Sequence, residues 1–360
     1  MTSRQELHPP ERTSKIPPVL KKFDPGLSGL RGIASFGVVL FHASSYIRMP
    51  LFALTSTFYL GVPVFLMMSM YLLLKRLDAN KDLKHYFKRR IIRIWPIYFG
   101  TLVVFYFLFP YPLVDFVRYL FFVEYYVNPF GYFPVSIFWT LQLEEAAYLF
   151  IPLIHKMKHK EWLGSALIIS GFAYLSMIAF TPLGHQPMVY LQIFLPVPLI
   201  AYGFGILAYA GKIPRIMKPI SLGGILGYAL LNYLATQNVK IAFLENYFLT
   251  HVALYSLVLI GFAAVIVHPP KFLGWFAILG EESYALYAVH YAFVMIFGLP
   301  GILYSVVTAL AIEFVLRPKE IMSRLRASYS AMFADFGSRL ASLGTKVSAR
   351  RSDLATVSSP

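Results

Sequence analysis

The sequence predicts an all-α, polytopic transmembrane helix bundle of ten spans, and three observations carry that expectation. Apolar residues make up 58% of the 360-residue chain and charged residues only 14%, against about 25% charged in soluble domains. The apolar residues fall in runs near the roughly 20 residues that one helix needs to cross a bilayer. Lysine and arginine collect in alternate loops, the pattern of a chain that threads a membrane back and forth.

Taken in order, the first 26 residues are polar and basic and are broken by Pro9, Pro10, Pro17, Pro18 and Pro25. They read as a disordered cytosolic tail, with none of the marks of a cleaved signal peptide. The membrane domain then covers 27–318, with spans expected at 27–47, 57–75, 93–110, 136–154, 162–181, 188–210, 217–236, 247–267, 281–298 and 300–316. The loop after the second span carries Lys75, Arg76, Lys81, Lys84, Lys88, Arg89 and Arg90. Later even-numbered loops carry Lys156, Lys158 and Lys160, then Lys212, Arg215 and Lys218, then Lys271. Odd-numbered loops hold only Arg48, Arg118 and Lys240. The alternation places both termini in the cytoplasm. Within the last unit, 319–360, Ile321, Leu325, Met332, Phe333, Phe336, Leu340 and Leu343 recur at helical spacing among basic residues. This predicts a C-terminal amphipathic helix on anionic membrane lipids, followed by a disordered serine-rich end.

Composition also excludes several classes. With no cysteine, disulfide frameworks, thiolate chemistry and cysteine zinc sites are ruled out. The net charge of +15 flanks membrane spans and interleaves with no recognition module, so no nucleic-acid partner is expected. His155 and His159 have the i, i+4 spacing of a metal pair, but Lys156, Lys158 and Lys160 would repel a cation, and no metal is expected. Gly223 and Gly227 form a small-xxx-small pair and predict close helix packing.

Arg31 and His42 carry the most information. They sit eleven residues apart in the first span, which returns the helix to the same face about 16 Å further on. Ionisable groups at membrane depth are costly and mark functional sites. With the deduced orientation, Arg31, Arg89, Arg90 and Arg93 form an inner cationic tier, suited to an anionic group. The arginine cluster also has a plainer reading as a topology anchor. An outer tier holds His42 and, about 12 Å into the fourth span, Glu144 and Glu145. Adjacent helical positions diverge by about 100°, so one glutamate faces a given cavity, and Glu144 is the expected one. A carboxylate can orient a histidine that takes a proton from a hydroxyl. Ser283, Tyr287 and His290 form one stripe on the ninth span, read either as interhelical hydrogen bonding or as part of a site. Glu313 is expected to neutralise an arginine. The aromatic outer segment 116–133 reads as an interfacial belt or as a stacking surface for a sugar.

Four segments then resemble the acyltransferase-3 family of integral-membrane O-acyltransferases. They are Leu30-Arg31-Gly32-Ile33-Ala34 through His42, Arg89-Arg90-Ile91-Ile92-Arg93-Ile94-Trp95-Pro96, Trp139-Thr140-Leu141-Gln142-Leu143-Glu144-Glu145, and Ser283-Tyr284 through Tyr287 and His290. They occur in the family's order across 27–318. Pro63, Met70 and Thr140 depart from the family's usual residues. The resemblance implies transfer of an acyl group, usually acetyl, from cytosolic acyl-CoA to a hydroxyl of a cell-surface polysaccharide or lipid-linked glycan precursor. Acyl-CoA would be a co-substrate, with no tightly bound cofactor. His42 would be the essential histidine, as general base or transient acyl carrier, with Glu144 orienting it. Arg31, Arg89, Arg90 and Arg93 would hold the CoA, and Trp139, Ser283, Tyr287 and His290 would line the substrate site. The setting implied is a bacterial inner membrane, with polysaccharide-assembly proteins as partners. Rival readings of the buried charges are a secondary transporter or exporter and a scaffold of an export complex.

Overall fold

The computed structural model describes residues 24–47, 55–128, 135–179, 196–236 and 247–319, together with 321–323, 326, 329–330 and 333. Among the described residues every regular element is helical: α1 (Pro25–Ile47), α2 (Gly61–Ala79), α3 (Leu83–Leu108), α4 (Leu113–Leu120), α5 (Glu124–Val127), α6 (Trp139–Lys156) and α7 (Lys160–Ala179). These are followed by α8 (Pro196–Tyr209), α9 (Lys218–Thr236), α10 (Tyr247–Val267), α11 (Ala277–Glu281), α12 (Ser283–Phe297) and α13 (Pro300–Leu316). Short 3₁₀ turns lead into α2 (Ser56–Leu60), α6 (Val135–Phe138), α9 (Arg215–Met217) and α11 (Lys271–Phe276).

A helix stands at each of the ten predicted positions, although 180–181 and 188–195 lie outside the described residues. By length and composition, four helical stretches can cross a membrane, or five if one bent pair counts as a single span. The helices α8, α12 and α13 are apolar but have only 14, 15 and 17 residues. At 1.5 Å per residue they rise about 21–26 Å, short of a hydrocarbon core of about 30 Å.

Two boundaries differ from expectation for identifiable reasons. The third predicted span opens at 93, yet α3 begins ten residues earlier. Asp82 caps it, accepting hydrogen bonds from the backbone N–H groups of Lys84 (2.9 Å) and His85 (3.2 Å). The intervening turns carry His85, Lys88, Arg89 and Arg90, so hydropathy hides a helix that capping chemistry starts. The ninth predicted span is split at Glu282, with α11 before the break. Upstream, Pro269 and Pro270 end the preceding helix, since proline lacks an N–H and restricts the residue before it. The chain there bends by 86°.

That bend lays 271–281 against the start of α1. A Cβ on Gly29 would fall 1.6 Å from the Leu273 carbonyl oxygen, and one on Gly280 would fall 1.8 Å from that of Ser28. Only glycine permits this approach of backbones. The hydroxyl of Ser28 fixes the same contact by donating to Glu281 Oε1 at 2.8 Å. Next to it, α1 packs along α12 and α2. Two apolar clusters flank this spine. One joins α3, α6 and α12 with Val39 and Ala43, and the other joins α2, α8 and α10 with Leu30 and Ala34.

The close glycine on α9 is Gly224, against Val258 of α10, whereas a Cβ on Gly223 would meet nothing within 4 Å. The expected role of Gly223 is thus corrected, since its face of α9 turns outward. Glu313 pairs with Arg317, one turn along its own helix, and is fully buried. The predicted C-terminal amphipathic helix falls mostly outside the described residues. Within them, Ile321 is buried and Phe333 exposed.

Adding a methyl group at the α1–α11 contact should be costly, since overpacking costs about 1–3 kcal/mol. Gly280→Ala is expected to lower the melting midpoint of the detergent-purified protein by several degrees. Gly223→Ala should leave the midpoint unchanged or raise it, because glycine in an open helix position costs about 1 kcal/mol.

Candidate active site

A partly open cavity lies between α1, α2, α3, α6 and α12. Its polar wall is strongly one-sided. Arg31, Arg76, Arg90 and Arg93 line it, with Glu144 as the lining carboxylate. Apart from the hydroxyls of Ser69, Thr140 and Ser283 the remainder is apolar or aromatic, including Val38, Phe65, Met68, Leu72, Tyr284 and Tyr287.

Local sequence explains each placement. On α3, Arg90 and Arg93 are separated by i, i+3 and share a face. Arg89, on the far side of Arg93, is exposed and does not line the cavity. That separates Arg89 from the three arginines it was grouped with. On α6, Thr140, Glu144 and Tyr148 follow at i, i+4 and i+8, one stripe facing the cavity. On α12, Ser283 and Tyr287 do the same.

The side chains hold one another in place. Arg31 Nη2 donates to Ser283 Oγ at 3.0 Å, and Ser283 Oγ donates to the Gly280 carbonyl at 2.9 Å. The Glu144 carboxylate accepts from the Tyr148 hydroxyl at 2.6 Å and from Ser69 Oγ at 3.3 Å. Arg90 lies over the Tyr148 ring at 5.4 Å from its centroid, a cation–π contact. Arg93 faces the like charges of Arg31, Arg90, Arg76 and Arg317, with Glu313 as a counter-charge. The Tyr287 hydroxyl donates to the Ile137 carbonyl and therefore accepts from Thr140 Oγ1, at 2.6 Å.

His42 stands one helical turn beyond Val38 on α1, and His290 nearly one turn beyond Tyr287 on α12; neither lines the cavity itself. His42 Nδ1 meets His290 Nε2 at 2.8 Å, with the rings stacked at 5.0 Å and 22°. Tyr291 packs edge-on against His42 at 4.9 Å. His290 is fully buried.

This corrects the expected partnership of His42 with Glu144. The carboxylate belongs to the arginine cavity, and the imidazole is oriented by another imidazole. The reason is depth. His42 is five residues from the end of α1, whereas Glu144 is nine residues past Val135, where its helical lead-in begins. At 1.5 Å per residue those counts already differ by about one turn, and the Tyr148 hydroxyl then draws the carboxylate further toward the arginines. Trp139 lies outside the cavity, beside Tyr125 at 6.2 Å. Glu145 is absent from the lining.

Sequence reading missed Arg76, Tyr148 and Ser69. The i, i+4 step from Glu144 was a usable signal for Tyr148. Arg76 was hidden among loop charges, because α2 extends past the predicted end of its span. The pairings Arg31–Ser283 and His42–His290 follow the same order on both helices, so α1 and α12 run in the same direction. On α6, by contrast, Tyr148 meets Arg90 of α3 and Phe138 meets Tyr98, so α6 runs opposite to α3.

The profile of the acyltransferase-3 family, described as an acyltransferase domain, matches residues 24–316. A protein of Acidianus two-tailed virus named as an acetyltransferase, ORF330, is 38% identical over 85% of this chain and 94% of its own length. The O-acetyltransferase OatA of Staphylococcus aureus strain NCTC 8325 is 27% identical over 76% of this chain. Here the chain spans only about half of its relative, 51%. A second O-acetyltransferase, from S. aureus strain COL, is 24% identical over 75% of the chain and 50% of its own length. No solved structure matches.

A cavity so rich in guanidinium groups should bind a phosphate-bearing anion, because charge-assisted hydrogen bonds contribute about 1.5–3 kcal/mol each. Calorimetric titration with inorganic pyrophosphate is expected to show binding weakened at least tenfold by Arg90→Gln or Arg93→Gln. Arg89→Gln should leave it nearly unchanged.

Proposed function

The chain belongs to the acyltransferase-3 family and is an acyltransferase enzyme, and from that premise we propose a membrane O-acetyltransferase that draws acetyl groups from cytosolic acetyl-CoA. The observation that carries the donor is the cavity itself, with four guanidinium groups against a single lining carboxylate. Such an excess suits the diphosphate and 3′-phosphate of CoA, and arginine's planar fork suits phosphate best. The apolar strip from Leu72 and Met68 toward Val38 suits the uncharged pantetheine arm. The rise from Arg31 to His42, about 16 Å along α1, is a length that an extended arm can cover. The thioester would then arrive at the histidine pair.

The acceptor we propose is a hydroxyl of a surface polysaccharide or of its lipid-linked precursor, reaching His42 from the far side. As His42 takes the hydroxyl proton, the oxygen attacks the thioester carbonyl carbon. The carbon–sulfur bond breaks, and the sulfur leaves as CoA thiol with the proton that the imidazolium returns. The products are an O-acetyl ester and free CoA.

The setting proposed is a plasma membrane crossed ten times, with both termini in the cytosol. The shared direction of α1 and α12, and the opposed directions of α3 and α6, support that threading. The staphylococcal relatives support a bacterial host, and the viral relative widens the choice.

Two experiments test this. In membrane vesicles supplied with [14C]acetyl-CoA, label should pass into the glycan fraction, and His42→Ala should reduce it at least 100-fold, the usual scale of general-base loss. Transfer undiminished by that change would reject the reading. Because the chain has no cysteine, single cysteines report topology cleanly. Those at positions 118 and 240 should react with an impermeant maleimide from outside, and those at 81 and 158 only after permeabilisation.

A further inference from the structure

We propose that His290 is a positioning residue that fixes the tautomer of His42 and leaves Nε2 of His42 as the reacting atom. The inference rests on the proposed acyl transfer for its kinetic consequence, but its structural content stands on hydrogen bonds alone. His290 Nδ1 lies 2.8 Å from the Tyr287 carbonyl oxygen and 3.2 Å from that of Leu286. Backbone carbonyls only accept, so Nδ1 of His290 carries the hydrogen. In the neutral ring the other nitrogen, Nε2, is then an acceptor. It faces His42 Nδ1 at 2.8 Å, so the hydrogen of that contact sits on His42. The neutral His42 ring has only one hydrogen, which leaves its Nε2 with a free lone pair.

The chain of dependence thus runs from α12 backbone to His290 to His42. It performs with a neutral acceptor what a carboxylate performs in a serine–histidine–aspartate triad: it holds the ring and its tautomer. The relay is well anchored. His290 is fully buried, and the contacts of its Nδ1 to two backbone carbonyls of α12 fix its ring. When His42 Nε2 takes the hydroxyl proton, the Nδ1–H bond to His290 persists and strengthens, because its donor has become cationic. The titratable groups facing His42 are His290 and Tyr291, both on α12, with Tyr46 one turn further along α1. No carboxylate among the described residues shares in this contact, and in the proposed reaction the imidazolium returns its proton to the departing sulfur.

The test pairs a spectroscopic readout with kinetics on the full-length protein in lipid. With ¹⁵N-histidine labelling, solid-state spectra should show His42, assigned by its absence in His42→Ala, with Nδ1 protonated and Nε2 bare. His290→Ala should abolish that preference. In transfer assays with [14C]acetyl-CoA, His290→Ala should lower kcat about 100-fold while the KM for acetyl-CoA stays within about twofold. His290→Gln, whose side-chain oxygen can replace Nε2 as acceptor, should recover most of the loss. A merely structural histidine would show equal losses for both variants, together with less folded protein. Protonation of His42 on Nε2 in the unchanged protein would overturn the inference. So would a His290→Ala enzyme with full kcat when His42→Ala is inactive. Activity retained in His42→Ala would instead sink the acyl-transfer reading and leave the tautomer assignment to the spectra.

Discussion

The contact on which the site depends is the backbone approach of α1 to the bent segment 271–281. Glycines at 29, 32 and 280 let carbonyl oxygens occupy the space where side chains would otherwise stand. Because the bent segment runs directly into α12, this contact fixes where α12 starts relative to α1. Two polar pairs then follow along the shared interface: Arg31 with Ser283 near its beginning, and His42 with His290 further on. An arginine–serine pair and a histidine pair are thereby set at different heights along one interface. Sites built on helices hold such spacing better than sites built on loops.

The lining of the cavity carries four guanidinium groups and one carboxylate. Guanidinium groups inside an apolar bundle are costly unless paired. Arg31 donates to a neutral hydroxyl with Glu281 and Glu144 as counter-charges, Arg90 lies over the face of Tyr148, and Glu144 accepts from a tyrosine and a serine. Glu313 is committed to Arg317. The cavity therefore carries an excess of positive charge, and in the proposed reading the phosphates of CoA would relieve it and position a distant thioester.

Part of the architecture is legible in the sequence because hydropathy and loop charge are additive along the chain. A helix stands at each expected position among the described residues, and Arg31, Arg90 and Arg93 meet as one group, but Glu144, expected beside His42, lines the cavity with the arginines instead. What hydropathy could not reveal were features set by local chemistry. The Asp82 cap starts α3 before its apolar run, and the Pro269-Pro270 break turns one helix into two. Nor does periodicity fix lateral position. Counted from their helix ends His42 and Glu144 differ by about one turn, and helix packing gives His42 to His290 and Glu144 to Tyr148. The stripe Ser283, Tyr287 and His290 was visible as a face, but two of its members serve the cavity and the third serves the histidine.

The central claim is that one ligand joins the arginine tier to the histidine pair. A cryo-EM structure of the lipid-embedded protein with bound CoA tests it most directly. The account predicts phosphate density against Arg31, Arg90 and Arg93, and the sulfur end within reach of His42 Nε2. Phosphates seated away from these arginines, or a thiol end directed back toward the cavity mouth, would contradict it.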